Sequence, residues 1–147
     1  MTTSQNTKFQ EARAFLNRTL QKTRYSAINQ RGLEFDITIN DVMRKLEEQN
    51  YKCALTGWDL EFTRGGTYDG KNPRGCTIDR IYNRSGYHRW NIQLVCCMPN
   101  LVRGKLDLSQ FKELCQAVAE NCSTEIKVNT DEQVKEPTAY QMLFEPA

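Results

Sequence analysis

The chain has 147 residues, 39% of them apolar and 26% charged, with a net charge of +2. That length suits one domain with extensions, and no apolar run is long enough to cross a membrane. The charge is uneven: residues 1–105 carry 17 Lys and Arg against 10 Asp and Glu, whereas residues 106–147 carry 3 against 8. A basic body favours a phosphate backbone as partner, and an ordinary solvated surface is the other reading of the same charges. The first ten residues are polar, so the expectation is an intracellular, cytoplasmic protein without a leader. In that setting the six cysteines need not be paired.

In chain order, residues 1–6 read as disordered. Phe9, Ala12, Leu16, Leu20 and Ala27 then recur at helical spacing, which predicts a helix over residues 8–30, ended by Gly32. Arg18 and Lys22 lie one turn apart on the opposite face, either solvated or following a nucleic-acid backbone. Residues 33–37 read as extended. Thr38, with Asp41 three positions on and Ile37 and Val42 as a hydrophobic staple, predicts the start of a second helix running to about Asn50. Val42, Met43 and Leu46 would face inward. Residues 51–62 read as a hairpin turning at Thr56-Gly57, with Cys53, Leu55, Trp58, Leu60 and Phe62 packed against the body. Residues 63–75 hold four glycines and a proline and read as a loop. Its Arg64, Lys71 and Arg74 either touch a groove or lie on a plain surface excursion.

Residues 76–81 and 91–97 are short apolar runs that read as strands, joined by a polar loop with Ser85-Gly86. Tyr87 and Trp90 are expected to fill core space. Pro99 can begin a helix carrying Asn100, Leu101, Val102 and Arg103. Asp79 on the first strand and Asn100 at the helix start offer hard oxygen ligands of the kind a magnesium-like cation takes. The bland readings are a surface acid paired with Arg80 and a helix cap. Arg84, Arg89, Arg103 and Lys105 surround this stretch as phosphate-contact candidates or as solvated charges. Asp107, with Gln110 three positions on, predicts a further helix with Leu108, Phe111, Cys115 and Val118 inward. Residues 123–147 hold two prolines and excess acid and read as a loosely attached tail. Its Tyr140, Met142, Leu143 and Phe144 would dock on the body or a partner. The organisation expected is a helical extension over 1–50 packing on the core, the core with its following helix over 51–122, and the acidic tail over 123–147.

Asp79-Arg80, Asn91 and Asn100, the last two nine apart, together with Cys53-Ala54-Leu55-Thr56-Gly57 upstream, resemble the motif of the HNH endonucleases, the ββα-metal nucleases. The likeness covers roughly residues 51–105, and its Asp-Arg, Gly-Tyr and Asn elements look like phage-type, homing-like members. It implies an α+β fold, a small ββα-metal core flanked by N-terminal and C-terminal helices. It also implies a metal-dependent endonuclease acting on double-stranded DNA, with Mg2+ or Mn2+ held by Asp79 and Asn100. The oligomeric state stays open.

Arg80 stands where the family's water-activating His is usual. A guanidinium stays protonated, which bars it from acting as a base near neutral pH, but it can grip a phosphate through parallel hydrogen bonds. Three routes stay open: His88, the sole histidine, serves as base; water attacks without a protein base; or cleavage is lost. Asn91 would orient the connecting loop, so Arg80, His88 and Asn91 form the candidate catalytic group. Many members hold a structural zinc through two Cys-x-x-Cys pairs. Cys53 and Cys96 match the first member of each pair, but Thr56 and Pro99 occupy the second positions. No structural zinc is expected, because about four ligands are needed. The cysteines then read as small buried apolar residues. The alternatives to a nuclease are a non-cleaving DNA-binding module on a degenerate HNH scaffold, and an interaction protein using the acidic tail.

Overall fold

The computed structural model describes residues 2–122, so the acidic segment at 123–147, with Tyr140, Met142, Leu143 and Phe144, lies outside the described residues. Helix α1 runs Thr3–Tyr25, well ahead of its apolar stripe. Thr2 explains the early start. Its hydroxyl accepts the Gln5 N–H at 3.3 Å while the Gln5 side chain accepts the Thr2 N–H at 2.8 Å, a capping box that satisfies donors otherwise left unpaired. The disorder expected for residues 1–6 is therefore corrected over residues 2–6. Ala12, Phe15, Leu16 and Leu20 are buried. A π-helical turn, Ser26–Gln30, follows, and Arg31 N–H closes onto Ser26 O at 3.2 Å. Gly32 then reverses the chain at φ +62°, a conformation that glycine adopts without steric cost.

Helix α2 runs Ile39–Glu48 and opens on the reciprocal Thr38–Asp41 capping box, with Val42, Met43 and Leu46 buried. The hairpin expected over 51–62 is instead an irregular turn with one bridge, Lys52 to Asp59. Cys53 and Leu60 enter the core. Trp58 stays at the surface, where the Arg74 guanidinium sits 4.2 Å from its ring centroid. Strands β1, Cys76–Arg80, and β2, Ile92–Cys96, pair antiparallel with Cys76 opposite Cys96 and Arg80 opposite Ile92. Helix α3, Cys97–Arg103, follows β2 directly. Pro99 is tolerated in its first turn, where a helix leaves the N–H groups free in any case. Helix α4 runs Leu108–Cys122 behind a reciprocal Asp107–Gln110 pair at 2.8 and 3.1 Å.

The architecture is therefore α+β. One apolar cluster joins Leu16 and Leu20 of α1, Val42 and Leu46 of α2, and Ile78, Ile92, Leu94 and Val95 of the sheet. Cys53, Cys76 and Cys96 are buried in it as free thiols. Burial pushes the Cys76 thiol far up and that of Cys96 to about 12, so both behave as small apolar groups. The chain divides into two compact units, Met1–Glu113 and Leu114–Ala147. In the first, Leu108 and Phe111 are half-buried; in the second, Leu114, Cys115 and Val118 are exposed. The inward stripe expected of α4 is corrected accordingly, since the helix buries none of its residues.

The loop between the strands docks on residues 33–36. Tyr87 N–H donates to Glu34 O at 2.8 Å and Asp36 N–H to Tyr87 O at 3.1 Å. Gly86 makes that approach possible, because a Cβ there would lie 2.4 Å from Glu34 O. Gly86→Ala is expected to destabilise the fold by about 1–3 kcal/mol, read as a lower urea midpoint at unchanged slope.

Candidate active site

Between α1, the 63–75 loop and the strand–helix unit lies a cleft of about 470 Å³. Phe15, Thr19 and Lys22 of α1 form one wall, Arg64 and Lys71 another, and Thr77, Ile78 and Asn100 also line it. Among the described residues its charged lining is Lys22, Arg31, Arg64 and Lys71, and none is acidic. Lys71 meets the exposed Asp69 only at 3.6 Å, so the cleft is cationic. Arg31 escaped the sequence reading because it follows the helical stripe. The π-helical turn and Gly32 bring it to the cleft, where it donates to the Tyr87 hydroxyl at 3.1 Å. No periodic signal marks such a residue.

Strand alternation puts Thr77 and Asp79 on one face of the sheet. Asn100 in α3 donates from Nδ2 to Thr77 Oγ1 at 2.9 Å, and Thr77 in turn donates to Val95 O at 2.9 Å. Asp79 does not line the cleft and is 9% exposed. Its Oδ2 accepts from Arg103 Nη1 at 2.5 Å and from Gln93 Nε2 at 2.9 Å. Asp79 Oδ1 and Asn100 Oδ1 accept no hydrogen bond from the described residues. Among those residues no three His, Cys, Asp or Glu side chains group as a metal site.

Asn91 is completely buried. Its Oδ1 accepts the Tyr82 N–H at 2.8 Å, and its Nδ2 donates to Tyr82 O at 3.1 Å and Gly86 O at 2.9 Å. One carboxamide thus closes the loop that follows Asp79. Arg80 closes it from the other end, donating from Nη1 to Asn83 O at 2.7 Å and Ser85 O at 2.9 Å. The Arg80 guanidinium also lies 5.6 Å from the Tyr87 ring centroid, so it is engaged by its own loop rather than held free for a phosphate.

His88 joins a different group. Its Nδ1 meets Asp36 Oδ2 at 2.8 Å and its Nε2 meets Glu34 Oε2 at 3.1 Å. Its ring stacks on Trp90, with centroids 5.6 Å apart and planes 10° apart. Trp90 is 62% exposed, which corrects the expectation that it fills the core; Tyr87 alone does so. The hydrogen bond to Asp36 raises the His88 pKa above its usual value. With Nδ1 on Asp36 and Nε2 on Glu34, neither ring nitrogen is left open toward a water.

The basic candidates separate by exposure. Lys22, Arg64 and Lys71 line the cleft. Arg18, Arg84, Arg89 and Lys105 are exposed outside it, and Arg74 covers Trp58. Arg103 is 1% exposed and cannot reach a phosphate, so it leaves the set of phosphate-binding candidates. Its charge is bound to Asp79, 24 residues away in sequence.

Neither a family model nor a curated protein matches the sequence. Among solved structures, the fold is similar to that of the rare-cutting HNH restriction endonuclease PacI, with a TM-score of 0.50 and 18% identity. The match spans 71% of this chain and 76% of that one. At that identity the likeness is one of fold.

Because His88 is the only histidine, its titration can be followed by NMR without assignment. The midpoint is expected above the usual 6.5, and Asp36→Asn should bring it down. A folded-state pKa above the unfolded one means that the pairing stabilises the protein fully below the unfolded pKa. That contribution is lost as pH rises through the folded value. A midpoint at or below 6.5 in the intact chain would remove the pairing from the account.

Proposed function

We propose that the chain is a metal-dependent DNA endonuclease of the HNH type, phage-type or homing-like, built on a ββα-metal core. The observation that carries this reading is one strand–loop–strand–helix unit bearing Asp79, Asn91 and Asn100 beside a cleft whose charged lining, among the described residues, is basic. The fold shared with an HNH restriction endonuclease supports it.

Asp79 Oδ1 and Asn100 Oδ1 fit a hard divalent cation, Mg2+ or Mn2+, as a sparse pair of oxygens, since such an ion keeps several waters and takes further ligands from a substrate phosphate. When bound, that ion would neutralise phosphate charge and stabilise the leaving oxygen. The chain's own residues do the rest. Lys22, Arg31, Arg64 and Lys71 draw a DNA backbone into the cleft. Thr77 holds the Asn100 carboxamide so that its oxygen is left available. Asn91 and Arg80 keep the loop after Asp79 rigid, as positioning residues. His88 fits a clamp on residues 34–36 better than a general base, which leaves solvent water as the attacking group.

A second reading, a non-cleaving DNA-binding module on the same scaffold, draws on the Arg103–Asp79 pair, which cancels the carboxylate assigned to the metal. The two readings part in a plasmid assay. With Mg2+ or Mn2+ the full chain should nick DNA, and Asp79→Ala and Asn100→Ala should each fall to background. Folded protein that binds DNA but nicks with neither metal sinks the first reading, and metal-indifferent binding then supports the second. On either reading, replacing Lys22, Arg31, Arg64 or Lys71 with Ala should flatten the dependence of log affinity on log salt. The slope should drop by about 0.9 for each phosphate that the side chain had neutralised.

A further inference from the structure

The nuclease reading gives no role to Arg103, the largest fully buried side chain among the described residues. Its guanidinium is fixed on every side. Besides Asp79 Oδ2, Nη1 donates to Arg80 O at 3.1 Å, Nε to Leu106 O at 3.1 Å, and Nη2 to Asn83 Oδ1 at 3.1 Å. It is therefore a permanent positive charge that cannot swing away from the carboxylate. Gln93 takes the same oxygen of Asp79, which aims both donors at Oδ2 and neither at Oδ1.

From this geometry we infer that Arg103 holds Asp79 neutralised, so that the site takes a divalent cation only together with a DNA phosphate. The inference rests on the reading of Asp79 and Asn100 as the metal's ligands. A cation approaching the free protein finds one formal negative charge already cancelled by a buried positive one. The remaining ligand oxygen, on Asn100, is uncharged. The nearby cleft adds the charges of Lys22, Arg31, Arg64 and Lys71, all repelling it. A strongly hydrated ion does not give up water for so little. A backbone phosphate changes the balance, since it is attracted by the same cleft and brings both a negative charge and an oxygen ligand. Arg103 is thus a positioning residue that sets the order of assembly, DNA with or before metal, and keeps the free chain unloaded.

The test uses Mn2+ as probe, its free-ion electron paramagnetic resonance signal as readout, and the full chain with or without a short mixed-sequence phosphorothioate duplex. The wild-type chain alone should leave the Mn2+ signal unchanged, and with the duplex it should remove more signal than the duplex does by itself. Arg103→Gln keeps a donor beside Asp79 but removes the charge. It should take up Mn2+ without DNA, about tenfold or more tighter than wild type, the scale on which groups behind a ligand tune metal affinity. Arg103→Lys should behave as wild type, and Asp79→Asn should abolish uptake in every case. Uptake by free wild-type protein, or no gain in Arg103→Gln, overturns the inference while leaving the nuclease reading standing. If Arg103→Gln does not fold, the wild-type comparison with and without duplex decides alone. Absence of Mn2+ uptake even with the duplex overturns the metal-site reading itself.

Discussion

The buried ion pair between Arg103 and Asp79 is the constraint on which the site depends. It joins the end of β1 to the end of α3 and, through Arg80 O, Leu106 O and Asn83, to both adjoining loops. A buried pair is seldom more stable than an apolar pair of the same volume, but removing one partner strands a charge and costs about 3–5 kcal/mol. Its value here is geometric. It fixes which oxygen of Asp79 is occupied and which is left over, and Gln93 from the paired strand repeats the choice.

The loop between the strands follows the same logic with neutral groups. Each of Asn91's hydrogen bonds contributes on the order of 1 kcal/mol net, and leaving its backbone partners unpaired would cost more. Arg80 and the Glu34–Tyr87 bridge hold the same loop from two further directions. Without these ties, residues 81–91 would be free to shift the carboxylate that precedes them. His88, clamped to Asp36 and Glu34, adds to this bracing.

The cleft shows how a modest net charge conceals a strong local field. Four cationic side chains from α1, the π-helical turn and the glycine-rich loop line it, with no acidic lining among the described residues. They come from segments distant in sequence, and their closeness is a product of packing. The same packing buries Arg103 and ties the half-buried Arg80 to its own loop, so the number of basic residues near the motif overstates the number that can meet a phosphate.

Local pattern alone determined the elements whose causes lie within a turn or two: the Thr38–Asp41 and Asp107–Gln110 caps, the stripes of α1 and α2, both strands and the helix through Asn100; the α+β class came with the resemblance that the motif residues carry. The Thr2–Gln5 box was equally local and could have been found by the same rule. Tertiary structure alone decided the partners of long polar side chains. Arg103 finds Asp79 across 24 residues and Arg31 finds Tyr87 across 56, and neither pairing leaves a periodic trace. A guanidinium reads as solvated until packing closes water away from it, so the sequence could name Asp79 and Asn100 but could not tell that a buried charge already held one of them.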